Sequence, residues 1–357
     1  MKRTPLALGA VLSATALALT GCVEGGRSST AAAAGDGGAS SACPWEADDS
    51  ITGPVRLGYQ LLPSGDLVVK DQGVLEACMP EADITWTQYA SGGDVVQAFG
   101  SGSLDLGTAG SSPTVRALSA PLDLDVQVVW VQDVIGEAEA LVAKDPAVTD
   151  VAGLRGARIG VPFSSTAHFS LLAALRDAGL DPATDVQVIN LAPDAILGAW
   201  QGDQIDAAYI WDPTLGEILA DGTKLVSGKD VSAAGAPTFD LSAATTAFVD
   251  ANPDFMEQWT RAQDWAVQMI EEDPAAAAES IAVQMSATPD VVETQLAGTT
   301  YLRAADQESQ YLGGPLGPVL EDTAAFLHDE GQIDAVAPVE DYTAALHTDA
   351  VAAVAVS

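Results

Sequence analysis

Strand-like and helix-like runs take turns along this chain, and they do so twice. Residues 55–59 (Val-Arg-Leu-Gly-Tyr) alternate as a strand does, residues 67–78 read as a helix closed by Pro80, and residues 84–89 alternate again. A short helix over 94–99 and a short strand over 104–107 follow, then strands over 126–131 and 139–143. The rhythm restarts after Leu154: strand 158–161, helix 166–178, strand 186–191, helix 194–201, strand 205–210. Strands that alternate with helices predict parallel sheets covered by helices, an α/β class. Beyond Ala243 the pattern turns helical, over 253–272, 274–285, 289–296 and 315–328, and all four runs open on a proline suited to the first helical turn.

The two halves echo each other. Gly102-Ser103-Leu104-Asp105 leads through a strand to Ser112-Pro113, and Gly202-Asp203-Gln204-Ile205-Asp206 leads through a strand to Asp212-Pro213, with spacing that differs by one residue. Two similar α/β lobes facing each other would leave a cleft between them, where small ligands usually bind. The expected division is lobe 1 over 51–138 and 241–357, and lobe 2 over 139–240.

The first residues read as an export signal. Met1-Lys2-Arg3 is a basic start, residues 6–19 are apolar but short for a membrane span, and Leu19-Thr20-Gly21-Cys22 resembles a bacterial lipobox. The expectation is a signal peptide over 1–21 and a diacylglycerol on Cys22. The chain would then be tethered to the outer face of the cytoplasmic membrane; the alternative is an ordinary signal peptide with a chance cysteine. Residues 22–50 are rich in Gly, Ser, Ala and Asp and are expected to be a flexible linker. Outside the cytoplasm the remaining even pair, Cys43 and Cys78, is expected to form one disulfide, the alternative being two free thiols. Asp and Glu number 50 against 14 Lys and Arg, a net charge of −36, which argues against nucleic-acid partners and anionic lipid.

Nothing in the sequence calls for catalysis. The histidines are His168, His328 and His347, and no metal-binding, nucleophile-elbow, phosphate-loop or dinucleotide motif occurs. No metal and no cofactor is expected. What stands out is Gly107-Thr108-Ala109-Gly110-Ser111-Ser112-Pro113. It follows a strand and opens a helix, with Ser112 expected at the N-cap and Pro113 at the first helical position. A helix start offers unpaired N–H groups and partial positive charge, so it can hold an anion without Lys or Arg; the plainer reading is a well-capped helix. Pro162-Phe163-Ser164-Ser165-Thr166-Ala167-His168 repeats the design in the second half, with His168 either on the ligand or bonded to its own loop. Glu139 and Asp240 fall where the chain would cross between lobes, with Trp211 and Gln60 at strand ends. A carboxylate pair beside a Trp suits an ammonium group.

These stretches resemble the taurine-binding proteins of bacterial ABC importers, within a wider group that binds sulfonates, nitrate and aminopyrimidines. The resemblance rests on residues 55–60, on Gly107 through Pro113, and on Ala138-Glu139-Ala140-Leu141-Val142. It continues through Pro162-Phe163 with Ser165-Thr166-Ala167-His168, Asn190-Leu191, Ala199-Trp200-Gln201, Gly235-Ala236-Pro237-Thr238-Phe239-Asp240 and Thr300-Tyr301-Leu302, covering most of 55–345. It implies a two-lobed periplasmic-binding-protein fold of type II that closes on its ligand by hinge motion. It also implies a non-enzymatic monomer that hands taurine to permease subunits. By position, the sulfonate would meet Ser111, Ser112, Ser165 and Thr166, and the ammonium Glu139 and Asp240, with Gln60 and Trp211 lining the cleft. The sequence departs from the family pattern at Leu61-Leu62-Pro63-Ser64-Gly65-Asp66 and at Asp212, where a small residue is usual. Alternatives on the same fold are an aliphatic sulfonate, nitrate or an aminopyrimidine. An enzyme of pyrimidine synthesis would need a clustered His/Cys set that this sequence lacks.

Overall fold

The structure, a computed structural model, describes residues 42–356. The expected signal peptide, Cys22 and the linker up to residue 41 lie outside the described residues. Ten strands run in chain order: β1 (Gly53–Tyr59), β2 (Ala82–Gln88), β3 (Leu106–Gly110), β4 (Val126–Val134), β5 (Glu139–Ala143), β6 (Arg158–Val161), β7 (Gln187–Asn190), β8 (Ala207–Trp211), β9 (Thr223–Ser227) and β10 (Phe239–Thr245). They form two five-stranded sheets, ordered β2-β1-β3-β10-β4 and β7-β6-β8-β5-β9.

The sheets are mixed rather than wholly parallel. β1 runs parallel to β2 and β3, and β6 parallel to β7 and β8, as the strand–helix alternation requires. The fourth strand of each sheet is antiparallel to both neighbours: β10 in the first and β5 in the second. Each is the first strand after the chain has crossed from the other lobe. β9 and β10 carry little sequence signal, because Ser242, Ala243 and Ala244 are small residues with weak strand preference. Burial between β3 and β4 decides the conformation of β10 instead, while β9 is an edge strand beside β5. β10 begins at Phe239, so Asp240 belongs to the first sheet and the second lobe ends upstream of the boundary expected at 240.

The internal echo is physical. In the first lobe the Arg56 N–H donates to Asp105 Oδ2 at 2.8 Å and its Nε at 3.0 Å. In the second lobe the Arg158 N–H and Nε reach Asp206 Oδ2 at 2.9 and 3.0 Å. One Arg on the first strand and one Asp before the third thus pin the same corner twice, each by a charge-assisted fork.

The helices follow with local corrections. The helix expected over 67–78 is two, α1 (Gly65–Gln72) and α2 (Val74–Cys78), because Gly73 adopts φ +62° and ends the first. Then come α3 (Gly92–Gly100), α4 (Ser111–Leu118), α5 (Thr166–Asp177), α6 (Pro193–Gln201) and α7 (Thr214–Ile218). Among the later helices, Pro253–Glu272, Pro274–Met285 and Pro289–Leu296 start on their prolines as the sequence predicts. They seal the first core, where Leu57, Leu67, Trp130, Phe255 and Trp259 are fully buried. A separate core in the second lobe holds Leu141, Ile159, Leu171, Leu175 and Tyr209.

The N-terminal end of the described chain is anchored earlier than a linker to residue 50 implies. Cys43 is bonded to Cys78 across 35 residues, the Asp48 N–H donates to the Cys78 carbonyl at 2.8 Å, and Trp45 Nε1 donates to Gln258 Oε1 at 2.6 Å. Closing a loop of that length is worth roughly 3–4 kcal/mol in the chain-entropy picture.

Two segments, 135–138 and 234–238, carry the chain between lobes. A third element braces the first: the Val134 N–H donates to the Thr300 carbonyl at 2.9 Å and the Glu137 N–H to the Gly298 carbonyl at 2.8 Å. A β-carbon on Gly136 would collide with that Gly298 oxygen, so glycine permits the close passage. The lobes also touch directly, where Phe169 of α5 packs on Phe326 with ring centroids 4.5 Å apart.

Candidate functional site

The sheet registers bring the expected residues together. Glu139 opens β5 and pairs with Trp211 at the end of β8. Asp240 on β10 pairs with Gly110 on one side and with Asp133 of β4 on the other. Strand ends from both sheets therefore meet between the lobes, where a cleft lies. Its wall includes Gln60, Glu139, Ser165, Thr166, Trp211 and Asp240 from the expected set. Gln60 is held by donating Nε2 to the Thr108 carbonyl at 2.9 Å.

Two helix N-termini converge on this cavity. α5 begins at Thr166 with Ser165 as its N-cap, whose Oγ accepts the His168 N–H at 3.1 Å and donates to the Pro162 carbonyl at 2.6 Å. α4 begins two residues earlier than expected: Gly110 is the N-cap, Ser111 and Ser112 are the first two helical positions, and Pro113 is the third. Proline is tolerated there because the first-turn N–H groups have no intrahelical partner in any case. Gly110 and Pro113 form the cavity wall, while Ser111 and Ser112 are buried just behind it. Ser111 Oγ is already engaged, accepting the Phe239 N–H at 3.3 Å. What α4 can offer a ligand is thus its free backbone N–H groups rather than serine hydroxyls. Gly110 lets the two helix starts approach, since a β-carbon there would sit well inside contact distance of Thr166 Cγ2.

His168 is not in the cleft. Its ring stacks on Phe163 with centroids 4.4 Å apart, and it lines a separate surface depression. His168 is the third helical position of α5, two residues past Thr166, and two residues turn about 200° round the helix, away from Thr166. Burial and the neighbouring Arg116 depress its pKa to about 4, so it stays neutral at ordinary pH.

The same cleft is acidic. Asp133, Glu139, Asp212 and Asp240 all line the cavity, and no Lys, Arg or His does. Sequence reasoning assigned no role to Asp133, Thr299 or Pro63. Asp133 did leave a signal: Gln132-Asp133 interrupts an otherwise apolar run from Val128 to Ile135, two adjacent polar residues in a buried strand. Gln132 belongs to a network behind the cavity, where Asp66 accepts from Thr108, Gln132 and Gln263 at 2.6, 3.1 and 2.8 Å.

Glu139 Oε1 accepts the Thr166 hydroxyl at 2.7 Å, tying the acidic wall to the α5 N-terminus. Its other oxygen, Oε2, is buried with no partner, as is Asp133 Oδ1. Burial raises the Glu139 carboxyl to about 8, with Asp240 adding repulsion. Asp240 is raised by burial as well, and Asp133 is held well above the carboxylate range by burial and then by the charges of Asp240 and Glu139. Asp212 is raised by burial, and its Oδ1 accepts the Gly216 N–H at 3.1 Å.

A pH dependence follows. These carboxyls bind protons more tightly folded than unfolded, so the stability they allow at low pH is lost as pH rises through their folded values. His168 has the opposite sign but is already neutral above pH 6.5. Between pH 6.5 and 8 the melting temperature of the empty protein is therefore expected to fall. Thermal melts across that window check it; a flat or rising curve contradicts the burial of these acids away from any cation.

The arrangement is a cleft that brings together two helix N-termini and a set of carboxylates with no cation among its lining residues. Together with two lobes joined by crossing segments, this is the architecture of a solute-binding protein of the periplasmic-binding-protein fold. Residues 82–277 match the NMT1/THI5-like family, and the chain belongs to that family. It is 35% identical over 268 residues to the taurine-binding periplasmic protein of Escherichia coli, covering 73% of this chain and 82% of that protein. Among solved structures, the alkanesulfonate-binding protein SsuA of Xanthomonas axonopodis pv. citri, bound to MOPS, superposes with TM-score 0.68 at 26% identity. That match covers 81% of this chain and 97% of the other. The periplasmic aliphatic sulphonate binding protein SsuA of Escherichia coli shares the fold, with TM-score 0.66 at 24% identity over 82% and 97% of the two chains. No helix among the described residues is long and apolar enough to cross a membrane, and no His/Cys/Asp/Glu group among them could hold a metal ion.

Proposed function

We propose that this chain is the exported solute-binding component of an ABC importer, and that its cleft captures taurine, 2-aminoethanesulfonate, for delivery to the permease subunits. The reading extends to a monomer tethered outside the cytoplasmic membrane through Cys22.

The observation that carries it is the buried, partnerless Glu139 Oε2 in a cation-free cavity that also receives two helix N-termini. A zwitterion with an ammonium at one end and a sulfonate at the other satisfies both walls. Glu139 and Asp240 would take the ammonium, with Trp211 beside them. The N–H groups of α4 at Ser111 and Ser112, together with Ser165 and Thr166, would take the sulfonate. The match to a taurine-binding relative supports the same assignment. An amine-free sulfonate or nitrate fits one wall only and leaves the acids desolvated and unpaired.

Calorimetric titration with taurine and with ethanesulfonate, which lacks the amine, tests this. Taurine is expected to bind, and ethanesulfonate at least about a hundredfold more weakly, as expected when a buried charge loses its partner. No heat with taurine, together with tight binding of another solute, would overturn the ligand assignment.

A further inference from the structure

We propose that Asp133 completes a three-carboxylate socket with Glu139 and Asp240, and that this socket selects a primary ammonium over its N-methylated forms. The inference rests on the aminosulfonate reading and adds the residue and the chemical distinction.

Asp133 lies on β4 directly across from Asp240 on β10, so the two carboxylates share one face of the sheet. The Asp240 N–H bonds to the Asp133 carboxylate, which fixes it in place. Asp133 is 2% exposed, lines the cavity, and keeps Oδ1 without a partner. The titratable groups that face it are Asp240, Glu139 and the Tyr301 phenol, and none is a cation. Like charges opposed in this way repel, and nothing in the fold neutralises them. In the empty protein bound protons can relieve that repulsion, and a ligand cation can take their place.

The donor count decides which cation. A primary ammonium presents three N–H donors, a dimethylammonium one and a trimethylammonium none. Three carboxylates on three elements offer an acceptor to each N–H of a primary amine. Quaternary ammonium sites are built from aromatic cages, and this cavity has a single aromatic, Trp211, against four acids. Asp212 is outside the socket: its Oδ1 is occupied by Gly216, and it is not among the charges that act on Asp133.

The test compares taurine with N,N,N-trimethyltaurine on the wild-type protein and on Asp133→Asn, by calorimetry in buffers of different ionisation enthalpy. The wild type is expected to prefer taurine and to release protons on binding it near pH 7. Asp133→Asn is expected to lose about tenfold to hundredfold in taurine affinity, the loss of one charge-assisted hydrogen bond, to change little toward the trimethyl compound, and to release fewer protons. The same variant is expected to melt higher than wild type when empty at pH 8, since a buried repulsion is gone; a variant that melts lower would mark Asp133 as structural. Unchanged taurine affinity and an unchanged ratio between the two ligands would overturn the socket. Should the wild type bind no taurine, the ligand reading fails by itself. The socket is then read with ethylammonium and tetramethylammonium chloride: a larger rise in melting temperature with the primary cation supports it, and equal shifts overturn it.

Discussion

Glu139→Gln is expected to cut taurine affinity by about 10²–10³-fold, the cost of about 3–5 kcal/mol for breaking a buried ion pair from one side. The side chain keeps its shape and can still accept the Thr166 hydroxyl through its amide oxygen, so the loss is that of the charge. The empty variant is expected to melt higher than wild type at pH 8, because Glu139 must either hold a proton there or bury a charge beside Asp240. Binding and stability thus move in opposite directions. A residue whose role was only to support the fold would lower both. Calorimetry with taurine and thermal melts at pH 6.5 and pH 8 read the two effects on one preparation. Retained affinity would remove Glu139 from the site.

The second large effect concerns the approach of the lobes. Gly110→Ala places a methyl group against Thr166 Cγ2, at the point where the starts of α4 and α5 meet. Separating them disturbs the two helix N-termini and the Thr166 hydroxyl that bonds Glu139. Overpacking of this kind costs about 1–3 kcal/mol, or about tenfold to hundredfold in affinity. The companion change Thr166→Ser removes the offending methyl and keeps the hydroxyl that bonds Glu139. The Gly110→Ala, Thr166→Ser pair is therefore expected to recover most of the taurine affinity lost by Gly110→Ala alone. No recovery in calorimetric titrations of the three variants would show that the methyl contact is not the cause.

Much of this was legible in the sequence because it is written in local patterns. The two α/β halves show as alternating periodicities, and the Arg56–Asp105 and Arg158–Asp206 latches lie behind the repeated Gly-to-Asp stretch that hinted at two similar lobes. Glu139 and Asp240 could be picked out because the residues around them mark lobe crossings. What was not legible depends on partners far away in the chain. β10 is a strand because β3 and β4 flank it, not because Ser and Ala prefer strands. The start of α4 moved to Gly110 because the fold supports its first turn without a side-chain cap. His168 shares a motif with Ser165 and Thr166, yet two residues of helix, a little over half a turn, set it apart from Thr166, and Phe163 stacks on its ring. Asp133 became a site residue only when the β4–β10 register set it across from Asp240.

The most direct measurement is a structure of the protein grown with taurine. The expected complex has the ligand nitrogen at about 2.7–2.9 Å from carboxylate oxygens of Glu139 and Asp240, as for charge-assisted hydrogen bonds. It has the sulfonate oxygens against the first-turn N–H groups of α4 and the Ser165–Thr166 corner of α5. Taurine bound with its sulfonate toward the acids, or bound outside this cleft, would contradict the account.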